Sequence, residues 1–306
     1  MAIPALQIVS REQGNNLALK DGSIHPAGFS FTFEEVPVLV HAFRRMVRTL
    51  EFEVCEMALT TYLCARDHGV PFSGLPIFLK RAFHHGAILH NIKFGLENPK
   101  DLEGQRVGVN RGYTVTAGVW ARGVLQEEYG VDLSKVTWVL SGDEHVEKYR
   151  PPENVVSIEP GKTIDELLDS GDLAAAINIE SNDPNIQPLI SNPLEAGITA
   201  FKDRGHYPIN HLIVVRDSVI KEHPGVDVAI FNAFAEAKNL YLERLQTGKI
   251  ESPTSVDELH LRMMGLMGDP LPYGIGPNQA VLELSLIHIS EPTRRTPISY
   301  AVFCLK

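Results

Sequence analysis

Cysteine is scarce in this 306-residue chain: Cys55, Cys64 and Cys304 are the only three, at spacings that suit neither a metal site nor a disulfide framework. Scattered and odd in number, they fit a reducing compartment, with the first two as buried thiols. Positive charge is short as well, with 28 Lys and Arg against 38 Asp and Glu and a formal net charge of −10. That balance argues against nucleic acid or an anionic membrane surface as the main partner. It leaves room for an anionic ligand in a locally basic pocket. No apolar run approaches eighteen residues, so no transmembrane helix is expected. The first ten residues hold no basic and apolar leader pattern before Arg11 and Glu12, which makes a cytoplasmic protein the expectation. The twelve histidines form no HxH, HxxxH-plus-acid or Cys/His grouping, so no metal is expected.

What is present describes a globular protein of about two domains, 44% hydrophobic and 22% charged. Its organising stretch is residues 106–129, RVGVNRGYTVTAGVWARGVLQEEY. A short β-branched run ends in Asn110-Arg111-Gly112, and Thr114 or Thr116 can then cap a helix. Free backbone N–H groups, hydroxyls and Arg111 together would seat a carboxylate or phosphate. An ordinary βα unit whose threonines only cap would read the same way.

Before and after it, strands alternate with helices. Residues 6–9, 29–36, 71–78, 154–159, 173–178 and 209–216 read as strands; 41–50, 56–68, 163–168, 226–245 and 259–267 read as helices. The arginines at 44, 45 and 48 are a solvated helix face. Such alternation predicts an α/β protein with mainly parallel sheets. Crossings near residues 100–105 and 200–208 predict a discontinuous first lobe, residues 1–104 plus 205–283, and an inserted second lobe, residues 105–204, with ligand bound in the cleft between them.

Five motifs then fall in one order: EFEVCEMALTTYLCA, FLKRAFHHGAIL, DLEGQRVGVNRGYTVTAGVWARGVLQEEYGVD, GHYPINHLIVVR and PYGIGPN. On these the chain resembles the 4,5-dihydroxyphthalate decarboxylase family, whose fold is similar to the two-lobed type 2 periplasmic binding proteins. The resemblance covers residues 5 to 283. Residues 284–306, with SLIHISEPTRRTPISYAVFCLK, look like translated sequencing-adapter read-through and are expected to lack function and local order.

The resemblance implies a carboxy-lyase of phthalate degradation that turns 4,5-dihydroxyphthalate into protocatechuate (3,4-dihydroxybenzoate) and CO2 without a cofactor. Its partner would be a small aromatic carboxylate, with homo-oligomer formation left open. Because the fold also serves transport, a non-catalytic binding protein for a small organic anion is the alternative. Two substrate carboxylates need cations or N–H donors. Thr114 and Thr116 at the helix start could hold one, and Arg81 or else Arg111 the other. Tyr113 and Tyr273, beside these motifs, are further binding candidates. Glu56, where a strand meets a helix, either accepts a bond from a catechol hydroxyl or caps the helix. The proton for the ring carbon would come from histidine, with His211 ahead of His84 and His85 because it opens a strand at the lobe junction. Adjacent on a strand, His84 and His85 would point to opposite faces.

Overall fold

The computed structural model describes residues 3–290. Among these, the strands are β1 (Ala5–Val9), β2 (Ser30–Phe33), β3 (Val54–Ala58), β4 (Phe72–Arg81), β5 (Ile88–Asn91), β6 (Arg106–Val109), β7 (Thr137–Leu140), β8 (Val155–Ser157), β9 (Ala175–Ile177), β10 (Ile186–Pro188) and β11 (Ile209–Arg216). The helices are α1 (Leu17–Lys20), α2 (Leu39–Thr49), α3 (Leu59–Asp67), α4 (Thr116–Tyr129), α5 (Ile164–Ser170), α6 (Pro193–Arg204), α7 (Asp217–Glu222), α8 (Val226–Gln246), α9 (Ser255–Met267) and α10 (Gln279–Ser290).

The chain divides into two compact units, one with residues 3–81 and His211–Gln279, the other with Ala82–Asn210 and residues 280–290. The first division falls after Arg81, not near residues 100–105. The cause is β5, which pairs with β9 and β10 and so draws the segment after Arg81 into the second unit. The second division lies inside β11, a few residues beyond the expected 204.

In the first unit the strand order is β2-β1-β3-β11-β4. β1 runs parallel to β2 and β3, while β11 is antiparallel to β3, with His211 opposite Ala58 and Ile213 opposite Glu56. The second unit holds a six-stranded sheet, β10-β5-β9-β6-β7-β8, in which β5 is antiparallel to both neighbours. The fold is α/β, but both sheets are mixed because β11 and β5 run against their neighbours.

The patterns in the sequence account for the elements. β3, VCEMA, is buried at all five positions, as a strand covered on both faces requires. α2 buries Leu39, Ala42, Phe43, Met46 and Val47, an i, i+3, i+4, i+7, i+8 stripe. On its other face Arg45 bridges Glu34 at 2.7 Å and Glu51 at 2.5 Å. α8 inserts Ile230, Ala233, Phe234 and Ala237 into a core with Leu6, Ile8, Val54, Ile77 and Ile213. Each large apolar side chain buried there contributes roughly 1.5–3 kcal/mol. In the second unit Val139, Ile164, Leu167, Leu168 and Leu173 form the core. α5 opens on the expected Thr163–Glu166 capping box, and α4 stops at Gly130, whose φ of 64° needs no Cβ.

Two local expectations are corrected. Glu56 belongs to β3, and the helix starts three residues later at Leu59. β4 ends at Arg81, so His84 and His85 lie in a turn that becomes a 3-10 helix, and strand alternation does not govern them. α10 continues to Ser290, with Ser285 buried; of the tail expected to lack order, residues 291–306 lie outside the described residues. No helix among the described residues is long and apolar enough to cross a membrane.

Candidate active site

Glu56 is fully buried in the middle of the first sheet. A carboxylate taken out of water must be hydrogen-bonded at every lone pair it can offer. Here Oε1 lies 2.6 Å from His211 Nδ1, while Oε2 accepts bonds from Ser10 Oγ and the Arg11 backbone N–H, both at 2.9 Å, and from Gln13 Nε2 at 3.4 Å. Asn16 locks that loop, donating to Ser10 Oγ at 2.9 Å and to the Arg11 carbonyl at 2.8 Å. Burial opposes the charge on Glu56, but the His211 bond, its charge and the loop donors outweigh burial and hold the carboxyl below its ordinary value. Glu56 is therefore an anion with both oxygens engaged. Its partners are His211 and the loop after β1, and it stands in β3 ahead of the helix it was expected to cap.

His211 sits on β11 opposite Ala58, two positions along from Glu56 on the adjoining strand and so on the same face of the sheet, and 14% of its side chain reaches solvent. Because the carboxylate can only accept, Nδ1 carries the hydrogen and Nε2 keeps its lone pair. Phe43 packs on the imidazole at 5.3 Å, near-perpendicular, and fixes the ring plane. Burial depresses the His211 pKa below 6.5; Glu56 opposes this, and the Lys80 and Arg11 charges add to it. The resting imidazole is neutral at pH 7.

Those two cations complete the group. The Lys80 side chain, half-buried on β4, makes no hydrogen bond or ion pair among the described residues. Burial first, then the Arg11 charge, pushes its pKa down, with Glu56 opposing. Arg11 is anchored through its own backbone on Glu56. A cavity of about 240 Å³ opens beside Ser10 and Arg11, lined also by Glu35, Val36, Pro37 and Leu39. It lies at the carboxyl ends of the parallel strands β1 and β2, where α/β sheets place ligands.

In the second unit the expected anion seat exists, with two changes. Its donors are not helix amides but the Tyr113 and Thr114 N–H groups, ahead of the α4 N-cap Val115, which has no side-chain cap. Its occupant is Glu144: the Tyr113 N–H donates to Oε1, and the Thr114 N–H at 3.2 Å and Oγ1 at 2.6 Å donate to Oε2. Thr116, buried, is the first residue of α4 and follows the N-cap. The Tyr113 ring lies 3.6 Å from the guanidinium carbon of Arg122, which covers it. The Arg111 N–H donates to Ser141 Oγ at 2.8 Å, and its φ of 75° marks a tight turn.

The remaining candidates meet partners within the protein. Arg81 is buried and donates to Asn278 Oδ1 and to the Pro272 carbonyl, tying β4 to the 272–278 loop; these bonds and its burial fit a structural cation. Tyr273, in that loop, has its hydroxyl pKa raised by burial and its ring 4.9 Å beneath Lys238 Nζ. His84 meets Asn210 at 3.2 Å. His85, buried, meets Glu128 at 2.8 Å, and Glu128 in turn pairs with Arg204 at 2.7 Å. Of the ten expected site residues, the structure brings Glu56 and His211 into contact. Among the described residues no three His, Cys, Asp or Glu side chains converge as a metal cage.

Sequence reasoning passed over Ser10, Arg11, Lys80, Arg122 and Glu144. Arg122 left a signal, a lone charge inside VWARGVL; the others sit in polar or basic runs that read as surface.

No protein-family model matches the chain. The 4,5-dihydroxyphthalate decarboxylase of Comamonas testosteroni is 33% identical over 260 residues, covering 79% of this chain and 78% of that protein. The chain belongs to the 4,5-dihydroxyphthalate decarboxylase family. A second member of that family, from Pseudomonas putida, is 35% identical over 143 residues, 44% of this chain and 55% of that one. Among solved structures, the desulfurization enzyme DSZB superposes with a TM-score of 0.51 at 14% identity, covering 94% of this chain and 91% of that one. The Candida albicans CA3427 gene product, described as having the generic periplasmic binding protein fold, also scores 0.51, at 11% identity over 94% and 89% of the two chains. At such identities these likenesses show that the decarboxylase family chain shares that fold, and nothing about its chemistry.

Proposed function

We infer that this protein is a carboxy-lyase that converts 4,5-dihydroxyphthalate to 3,4-dihydroxybenzoate and CO2, with His211 handling the proton. The observation that carries the reading, beside family membership, is a neutral imidazole held by a buried carboxylate and flanked by two cations. A binding protein needs the cations alone; an oriented, partly solvated Nε2 adds acid–base capacity.

The chemistry balances with one proton taken up. Lys80 and Arg11 face a dianionic substrate and offset its charge. Nε2 of His211 gains a proton from solvent, and Glu56 steadies the resulting imidazolium. The N–H bond breaks as a C–H bond forms at the ring carbon carrying the departing carboxylate. The hydroxyl para to that carbon stabilises the cationic ring. The C–CO2 bond then breaks, its electron pair restores aromaticity, and CO2 leaves. Because the environment depresses its pKa, the imidazolium is a stronger acid than free histidine, which favours transfer to carbon.

Incubating the purified chain with 4,5-dihydroxyphthalate and following CO2 and the catechol product tests this. Stoichiometric release of both is expected. Saturable binding without turnover would replace the reading by that of a solute-binding protein.

A further inference from the structure

Glu144 fills a nest that any carboxylate would fit. Its oxygens are divided between the Tyr113 N–H on Oε1 and the Thr114 N–H and hydroxyl on Oε2. A Cβ on Gly112 would stand 2.8 Å from that carboxyl carbon, so glycine there is what lets an acid approach the backbone. Beneath the nest lies Arg122, 3% exposed. Its Nη2 donates to the Tyr113 carbonyl at 2.7 Å, and its Nη1 has no hydrogen-bond partner. No carboxylate among the described residues touches it. Burying an uncompensated guanidinium is costly even when aromatic faces lie over it, here Tyr113 and, at 5.6 Å, Trp138. The charge is relayed instead: polarising the Tyr113 carbonyl makes the N–H of the same peptide, that of Thr114, a stronger donor. A positive nest on a permanent cation calls for an anion, and Glu144 supplies one from the half-exposed loop between β7 and β8.

We propose that Glu144 is a built-in stand-in for an aryl carboxylate: the nest releases Glu144 and takes an acid of the substrate or product class in its place, so that the protein's own side chain sets the affinity. The ligand class rests on the function inferred above. The exchange is a like-for-like swap of one carboxylate for another, with Arg122 a positioning residue that strengthens the nest.

Phthalate, which has the carboxylates but no hydroxyls, is the probe, titrated calorimetrically into the full chain. Removing the internal competitor in Glu144→Ala is expected to tighten phthalate binding about tenfold, near 1.4 kcal/mol. That gain should vanish when Thr114→Val is added. In the wild-type protein, saturating phthalate should speed hydrogen exchange of the amides at residues 142–147 while the Thr114 amide stays protected. Equal or weaker binding by a folded Glu144→Ala, or exchange at 142–147 that phthalate leaves unchanged, overturns the proposal; if Glu144→Ala does not fold, the wild-type exchange decides alone. Turnover of 4,5-dihydroxyphthalate in the same samples is read separately: turnover without these effects removes the swap and keeps the decarboxylase, and the effects without turnover do the reverse.

Discussion

Replacing Glu56 by glutamine separates the charge of the buried acid from its shape. At 2.6 Å, with both groups nearly enclosed, the Glu56–His211 contact is a charge-assisted bond worth about 1.5–3 kcal/mol to the imidazolium. At about 1.4 kcal/mol per tenfold, loss of the charge should lower kcat/KM roughly 10- to 150-fold. The amide also faces a dilemma. If its oxygen stays on His211, its NH2 points at the Arg11 N–H and the Ser10 hydroxyl, donor against donor, and stability falls by about 1–3 kcal/mol. If it turns over, its NH2 meets Nδ1 and the imidazole must carry its hydrogen on Nε2. Nitrogen-15 histidine NMR reads the tautomer directly, and initial rates of CO2 release read the activity. The alkaline limb of kcat/KM provides the sign. Catalysis by imidazolium falls as pH rises through the His211 pKa, which lies below 6.5, and without Glu56 that limb should move lower still. A variant with unchanged rate, an unmoved limb and the wild-type tautomer would refute the assigned pair.

The other expectations concern neighbouring charges and the scaffold. Lys80→Met should raise KM for the dianion about tenfold and move the His211 limb upward, because a charge that depresses the imidazole is gone; a KM change with an unmoved limb would separate Lys80 from the dyad. Arg81→Met should cost about 1–3 kcal/mol in urea unfolding by stripping Asn278 of its partner, with KM within about twofold; a large KM rise at unchanged stability would restore Arg81 as a substrate anchor. His260, buried against Tyr241, is pushed down to about 4, chiefly by burial. The unfolded chain then binds the extra proton, so stability drains as pH falls from 6.5 toward 4, by about 2 kcal/mol at pH 5. His260→Gln should shrink the pH 7-to-5 loss by about that amount, and equal losses in both proteins would contradict the assignment.

Glu56 and His211 could each be singled out from their motifs, since a carboxylate in VCEMA and a histidine opening INHLIVVR are polar atoms in segments that otherwise bury everything. Their contact could not. It depends on β11 returning antiparallel beside β3, across more than 150 residues of intervening chain, and no local pattern encodes that neighbour. The cations show a different gap. Lys80 and Arg81 are consecutive on a strand and must face opposite ways, yet nothing in FLKRAF says which face turns inward. Arg81 looked the better carboxylate partner for its fork geometry, and the structure shows that fork holding a loop. The anion seat was legible from Gly112 and Thr114, whereas its occupant lies thirty residues on, in a loop with no periodicity. Helices with a full apolar stripe, such as α2 and α8, were read within about two residues at their ends because burial and period agree.

β4 stands at the edge of its sheet, and that has a consequence for how the protein can fail. A one-residue slip would turn Lys80 and Arg81 each to the opposite face of the sheet, taking Lys80 away from the imidazole and Arg81 away from the loop. Leu75, Ile77 and Leu79 would leave the core at the same time, so the slipped chain would lose packing along with its chemistry. Three devices forbid it: the Arg81–Asn278 bond, the Gly74 N–H donating to the Tyr62 hydroxyl at 2.9 Å, and the absence of a Cβ at Gly74, where one would stand 2.7 Å from the Tyr62 ring. Registration of this edge strand thus serves folding and function together, and an insertion or deletion between residues 74 and 80 should lower stability in urea unfolding as well as turnover.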